Sequence, residues 1–280
     1  MQNRKNTLIS TLRQCKVFMF YITVIFIFVF SSFLVFVFAK NINTIDTNNR
    51  FAAISFQHLL GTDELGRDIF LRTIYGGFVS LTVGLFSAFI SSAIGIFVGA
   101  VSGYLGGIID NIIMRAVEVI QTIPWIILVT ICSIFFEGNI LTLIIIIGCT
   151  SWIELAKLVR AETMIIRKQE YVVFSKINGA NFYFILKRHI FPGILPLLIV
   201  YLITSISSAI LTEASLSFIG IGVRPPMPSW GNLLRTAQET MFQLPQLLIV
   251  PGVFICLTVY SLNKIGSIIE KALYSQEKNI

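Results

Sequence analysis

The chain has 280 residues, of which 55% are hydrophobic and only 12% charged, and it carries a net charge of +7. A soluble domain usually has about 25% charged residues, and so few charges cannot cover the surface of a water-soluble fold of this length. The composition excludes a soluble domain and points to an all-α integral membrane protein with no nucleic-acid partner, in which excess positive charge reports topology first.

A membrane-crossing helix needs roughly 20 apolar residues. Residues 17–39 meet this without a charge and are too long for the apolar core of a signal peptide, so they are read as a retained first span after a tail at 1–16. Residues 40–77 form a more polar segment with the motif "GTDELGRD". Here Asp63 is placed to cap a helix starting near Glu64, and Arg67 and Asp68 to form local pairs. A contact with a substrate-delivering partner is the alternative use of the same charges. Residues 78–101 are the second span, and 119–136, interrupted by Pro124, complete the third after a polar break. A turn at Glu137–Asn139 leads to a fourth span at 140–159 with Glu154 and Lys157 three residues apart, where the two can pair. The fifth span is 194–218, containing Glu213, and the sixth 247–269, before a tail at 270–280. Between them, "RPPMPSWG" predicts a stiff non-helical segment, with Trp230 suited to an interfacial belt.

Arg4, Lys5, Arg13 and Lys16 precede the first span, and Lys157, Arg160, Arg167, Lys168, Lys176, Lys187 and Arg188 lie between the fourth and fifth. The positive-inside rule puts both regions, and with six spans the C-terminus, in the cytoplasm. The small residues Gly84, Ser87, Ser91, Gly95 and Gly99 in span two, and Ser205, Ser207, Ser208 and Ala209 in span five, serve close helix packing or line a pore. Cys15, Cys132, Cys149 and Cys256 lack metal or redox spacing and read as buried free thiols. No proton-relay row of acids crosses the bilayer. No G-x-x-x-x-G-K-[ST] loop, H-E-x-x-H or nucleophile elbow occurs, so no catalytic residue, cofactor site or metal site is expected, and any power for transport comes from another chain.

The segment "QEYVVFSKINGANFYFILKRHIFPGILP", residues 169–196, stands out as basic and two-part. Residues 169–178 read as a helix stopped by Gly179, 182–189 as a second short helix, and Pro192 and Pro196 as breaks before the fifth span. Tyr171, Phe174 and Asn178 fall on one helix face. A basic loop held by anionic headgroups is the plain alternative to a docking knob.

The spacing from Glu170 and Tyr171 through Gly179 and Ala180 to Pro196 resembles the "EAA" loop of ABC-importer permeases. In that family the loop forms the coupling helix that docks in a groove of the ATPase subunit. The E-A-A itself is absent: Val173, Phe174 and Ser175 stand in its place. Two further blocks are more specific. "LLGTDELGRDIFLRTIYGG", with Gly61, Thr62, Asp63, Gly66, Arg67 and Asp68, resembles the segment before the transporter domain in the C-type subunits of dipeptide, oligopeptide and nickel importers. "EASLSFIGIGVRPPMPSWGNLL", with Pro225, Pro226, Pro228, Trp230 and Gly231, resembles another block of those subunits, and residues 99–124 fit a third. The resemblance runs from about residue 51 to 266. It implies a type I ABC importer permease fold of six transmembrane helices, with the permease domain at 78–269. It also implies a heterodimer with a second permease, two cytoplasmic ATPases, an extracytoplasmic binding protein and a cargo of peptides, nickel or a metal chelate. Read from the residues alone, a secondary carrier or channel, a scaffold and a membrane-embedded enzyme are the rivals.

Overall fold

In a computed structural model of the chain, residues 2–39, 42–135, 139–242 and 244–277 are described. The described residues form no strand; a single isolated β-bridge joins Thr62 and Asp68. Four helices are long and apolar enough to cross a membrane: residues Lys16–Phe38 of α1 (Gln2–Phe38), α2 (Ile69–Leu105), a stretch at Phe182–Ile219, and Gln246–Leu273. Two further crossings are bent pairs. The helices α3 (Gly107–Gln121) and α4 (Trp125–Phe135) meet at 76°, and α5 (Ile140–Thr150) and α6 (Ile153–Ile166) at 42°. Each pair taken as one crossing brings the total to the expected six. The first bend sits at Pro124, which cannot donate to the helix ladder. Of the turn expected at 137–139, Glu137 and Gly138 lie outside the described residues. Asn139 caps α5, accepting from the Thr142 N–H at 2.8 Å.

The centre of the bundle is α2, which packs on α1, α5, α6 and α9 (Phe191–Ile219). Its small residues explain how close it comes. Gly95, Gly99 and Gly103 recur every four residues and so share a face. A Cβ on them would lie 2.9 Å from Leu155 Cβ, 2.8 Å from Val159 Cβ and 2.8 Å from Thr163 Cβ, all on α6. Gly84 is filled in the same way by Ile210 of α9. These glycines pack; Ser87, Ser205, Ser208 and Ala209 instead line a cavity. The outer helix α1 lies against α2 and α11 (Gln246–Glu277). Phe36 stacks on Phe78 with centroids 4.0 Å apart, and Phe28 on Phe254 at 4.8 Å.

Several boundaries move. The second span begins at Ile69, not residue 78, because Asp68 caps it by accepting from the Leu71 N–H at 2.9 Å. The prolines expected to break the chain before the fifth span do not. The short helix α8 (Phe182–Ile185) runs through a π-helical turn, Leu186–Ile190, straight into α9. The π turn closes with the Phe191 N–H donating to Leu186 C=O, Pro192 follows in the first turn of α9, where a missing donor is tolerated, and Pro196 lies inside the helix. Of the thiols, Cys132 is partly buried, whereas Cys149 and Cys256 are exposed; in an apolar solvent an outward thiol costs little.

Candidate functional site

Four regions carry the residues singled out in the sequence, and a fifth emerges only from the fold. At one end of the bundle, α7 (Glu170–Ile177) follows Gln169, and Gly179 ends it in the left-handed region at φ +83°. The Gly179 N–H donates to Lys176 C=O and the Ala180 N–H to Ser175 C=O, which closes the helix end. Asn181 then caps α8, accepting from the Phe184 N–H at 2.8 Å. The chain thus reverses between two short helices. Val172 is the buried anchor of α7 in a cluster with Ile185, Ile190 and Ile194, while Tyr171, Phe174 and Ile177 are left half or more exposed. Phe174, Ser175, Asn178, Gly179 and Ala180 line an open groove of about 470 Å³ facing Phe184. Sequence reasoning missed His189, whose Nε2 lies 3.0 Å from Ser175 Oγ and whose ring touches Tyr171 and Phe184, tying the two helices together. Glu170 lies in the first turn of α7, where the helix dipole favours an acid. Pro196 is set apart from the groove, inside α9.

A brace joins this end to the bundle. Arg160 of α6 forks onto Asp110 of α3 at 2.5 and 2.6 Å, and Ser102 of α2 also donates to Asp110. Arg167 donates to the carbonyls of Gly103 and Tyr104 at 3.0 and 2.8 Å, closing the C-terminus of α2. The Asp110 side chain is buried and Arg160 is partly exposed, so the pair sits at the edge of the packed helices. In the sequence Arg160 and Arg167 stand out only as topology charges, because Arg160 and Asp110 are fifty residues apart and no spacing links them.

At the opposite end, residues 42–68 fold over the mouth of α2. The Asp63 carboxylate caps no helix. It accepts from the Leu65 and Arg67 N–H groups and pairs with Arg67 Nε at 2.7 Å, making a tight turn. Asp68 pairs not with Arg67 but with His58 Nδ1, at 2.8 Å. Thr62 is buried and donates to Asn49 C=O at 2.5 Å. Gly61 and Gly66 both have positive φ in this turn-rich segment.

The proline segment meets the same end from the other side. Pro225, Pro226 and Pro228 are non-helical, as expected, and Ser229 then starts α10 (Trp230–Ala237) with a reciprocal capping box to Asn232. Trp230 is no interfacial anchor. It is 0% exposed, and its Nε1–H donates to Thr73 C=O at 3.0 Å, while its backbone N–H donates to Ser80 Oγ. Gly231 lies against Ala214 of α9 with no room for a side chain. Beneath it, the fully buried Glu213 accepts from Ser80 and Ser217 at 2.6 Å each. A carboxylate this deep is satisfied by hydroxyls from two helices, so it ties α9 to α2.

The fifth region is a cavity of about 830 Å³ between α2, the two bent pairs and α9. Its polar lining includes Ser87, Gln121, Thr150, Glu154, Tyr201 and Thr204. Only Glu154 among its lining residues is acidic, and none is Lys, Arg or His. The expected Glu154–Lys157 pair does not form: Lys157 Nζ donates instead to Gln121 Oε1 at 2.5 Å.

The chain has recognisable relatives. Residues 93–276 match the family model described as binding-protein-dependent transport system inner membrane component. The oligopeptide transport system permease protein OppC of Escherichia coli (strain K12) is 39% identical over 221 residues, covering 79% of this chain and 73% of the relative. The dipeptide transport system permease protein DppC of Bacillus subtilis (strain 168) is 34% identical over 220 residues, covering 78% and 69%. The glutathione transport system permease protein GsiD of Pectobacterium atrosepticum is 35% identical over 219 residues, covering 78% and 73%. Among solved structures, a chain of the inward-facing MetNI methionine ABC transporter aligns with a TM-score of 0.61 at 19% identity, over 73% of this chain and 97% of that one. The helical architecture is therefore that of ABC importer permeases, and this chain belongs to the family of binding-protein-dependent transport system inner membrane components, as a multi-pass permease.

Proposed function

We propose that the chain is one of two unlike permease subunits of an ATP-driven peptide importer and forms half of its translocation pathway. The observation that carries this reading is the relatives' shared cargo class: permeases named for oligopeptides, dipeptides and glutathione match over more than three quarters of the chain. Peptide therefore ranks ahead of nickel or a metal chelate. Two ATPases, a second permease and an extracytoplasmic binding protein complete the assembly. Hydrolysis belongs to the ATPases, since this sequence has no phosphate-cradling loop. In this mechanism ATP binding closes the ATPases, the knob around Gly179 carries that motion, and the Asp110–Arg160 brace delivers it to α2 and α6. The two permease bundles then rock about the cavity between α2, the bent pairs and α9. The docking face is apolar, centred on Phe174, in place of the missing acidic anchor. The cap at 42–68 and the segment at 225–231 form the mouth toward the binding protein.

Deleting and restoring the gene for this chain, with uptake of labelled tripeptide and of labelled nickel measured side by side, tests the cargo. Restored peptide uptake with unchanged nickel uptake is expected; the reverse would transfer the reading to nickel.

The charge pattern orients the chain with both termini and the knob in the cytoplasm. Reporter tags at Asn3, Asn181 and Asn279 should then respond as cytoplasmic and one at Asn48 as external. Asn48 and Asn181 on the same side would rule out the six-span arrangement.

A further inference from the structure

We propose that Glu154 is a charge filter in the translocation cavity, favouring cargo that carries ammonium groups over cargo that carries extra carboxylates. This rests on the peptide-importer reading above and specifies which peptides pass most readily.

Three observations meet at this residue. The cavity of about 830 Å³ is of the size of small-molecule sites, roughly 300–1,000 Å³. Its lining offers hydroxyls and an amide for hydrogen bonding, from Ser87, Thr150, Tyr201, Thr204 and Gln121, but only one formal charge, the Glu154 carboxylate. That carboxylate is unspent. The neighbouring cation, Lys157, does not pair with it but donates to Gln121 of the same lining, and no ion pair among the described residues involves Glu154. Glu154 is exposed in this chain and lies in the bent α5–α6 crossing; an ionisable side chain within a membrane-crossing segment and without an ion-pair partner points to a role in the passage of charge.

The local structure explains how the charge persists there. Glu154 lies in the first turn of α6, where the free backbone N–H groups and the helix dipole favour an anion without a paired cation. The cavity supplies water to the carboxylate between transport events. A peptide moving through presents its α-ammonium, and any lysine side chain, to this carboxylate; an added carboxylate on the cargo is repelled by it. No covalent step is involved.

The test uses the complete transporter in proteoliposomes, with its partner permease, ATPases and binding protein, and three tripeptides: Ala-Lys-Ala, Ala-Ala-Ala and Ala-Glu-Ala. The same binding protein serves every variant, so its own selectivity cancels when uptake ratios are compared. Glu154→Gln keeps shape and removes charge. It should lower the Lys-to-Glu uptake ratio by about three- to tenfold, the size expected of one charge in a partly wet cavity. Glu154→Asp should keep the wild-type ratio, and Glu154→Lys should invert the preference. A merely structural Glu154 would reduce uptake of all three peptides together. Ratios unchanged in both the Gln and Lys variants, with the wild type importing all three peptides, would overturn the filter alone. A wild-type assembly that imports none of them would overturn the peptide reading beneath it.

Discussion

Replacing Trp230 by alanine is expected to destabilise the chain by about 3 to 5 kcal/mol, the usual cost of removing a large buried aromatic side chain. The indole is fully enclosed, it lies against Gly77 where a Cβ would come within 2.9 Å of it, and its Nε1–H is satisfied by Thr73 C=O. Removing it empties the contact between α10 and α2 and opens the space above the Glu213–Ser80 hydrogen bond. The midpoint of thermal unfolding in detergent should fall by roughly 10 °C. Trp230→Phe retains most of the ring volume and loses the N–H bond, so a loss of about 1 to 2 kcal/mol is expected. A tryptophan that merely sat in an interfacial belt would tolerate both changes. Equal, small shifts in the two variants would show that the proline segment is not locked onto α2.

Gly179→Val should abolish most transport, on the order of tenfold or more, while membrane insertion stays normal. Gly179 has φ +83° and nothing within 4 Å of the position of an added Cβ. The constraint is therefore conformational and not spatial: a β-branched residue in the left-handed region is strained by about 1 to 2 kcal/mol, enough to unwind the reversal between α7 and α8. Asparagine tolerates that region, so Gly179→Asn should retain most uptake, and this contrast separates backbone strain from loss of a small side chain. Phe174→Asp should act like the valine variant by placing a charge on the exposed face proposed to bury against the ATPase. A headgroup-bound basic loop would behave differently: both substitutions would be mild, and neutralising Lys176, Lys187 and Arg188 would be the damaging change. The readout is ATPase-subunit pull-down from membranes, scored with uptake at matched expression.

Local signals were legible where one short rule decides the structure. The glycine that stops α7, the proline that bends α3 against α4, and the glycine repeat of α2 each act within one or two turns. Their consequences could be read from spacing. Where two distant segments compete for a group, the spacing misleads. Asp63 sits where a cap belongs, yet Arg67 and two nearby amides hold it, and Asp68 becomes the cap instead. Glu154 and Lys157 have the right separation to pair, but Gln121, from α3, takes the lysine. Trp230 reads as interfacial because tryptophan often is, and only the approach of α2 makes a buried slot for it. Pro192 and Pro196 read as breaks because the π turn that absorbs the first of them has no sequence signature of its own. The cavity is the extreme case. Its lining comes from α2, both bent pairs and α9, and each contributing hydroxyl alone looks like an ordinary helix residue.

We propose this chain as the passive, membrane-spanning half of a transporter driven by a separate ATPase. Uptake of a labelled tripeptide by the affinity-purified assembly in proteoliposomes, measured with ATP and with the ATPase subunits present or stripped, tests it most directly. Uptake should require both ATP and the ATPase subunits, with no nucleotide binding by this chain alone. Uptake by the stripped chain driven by an ion gradient, with no response to ATP, would contradict it.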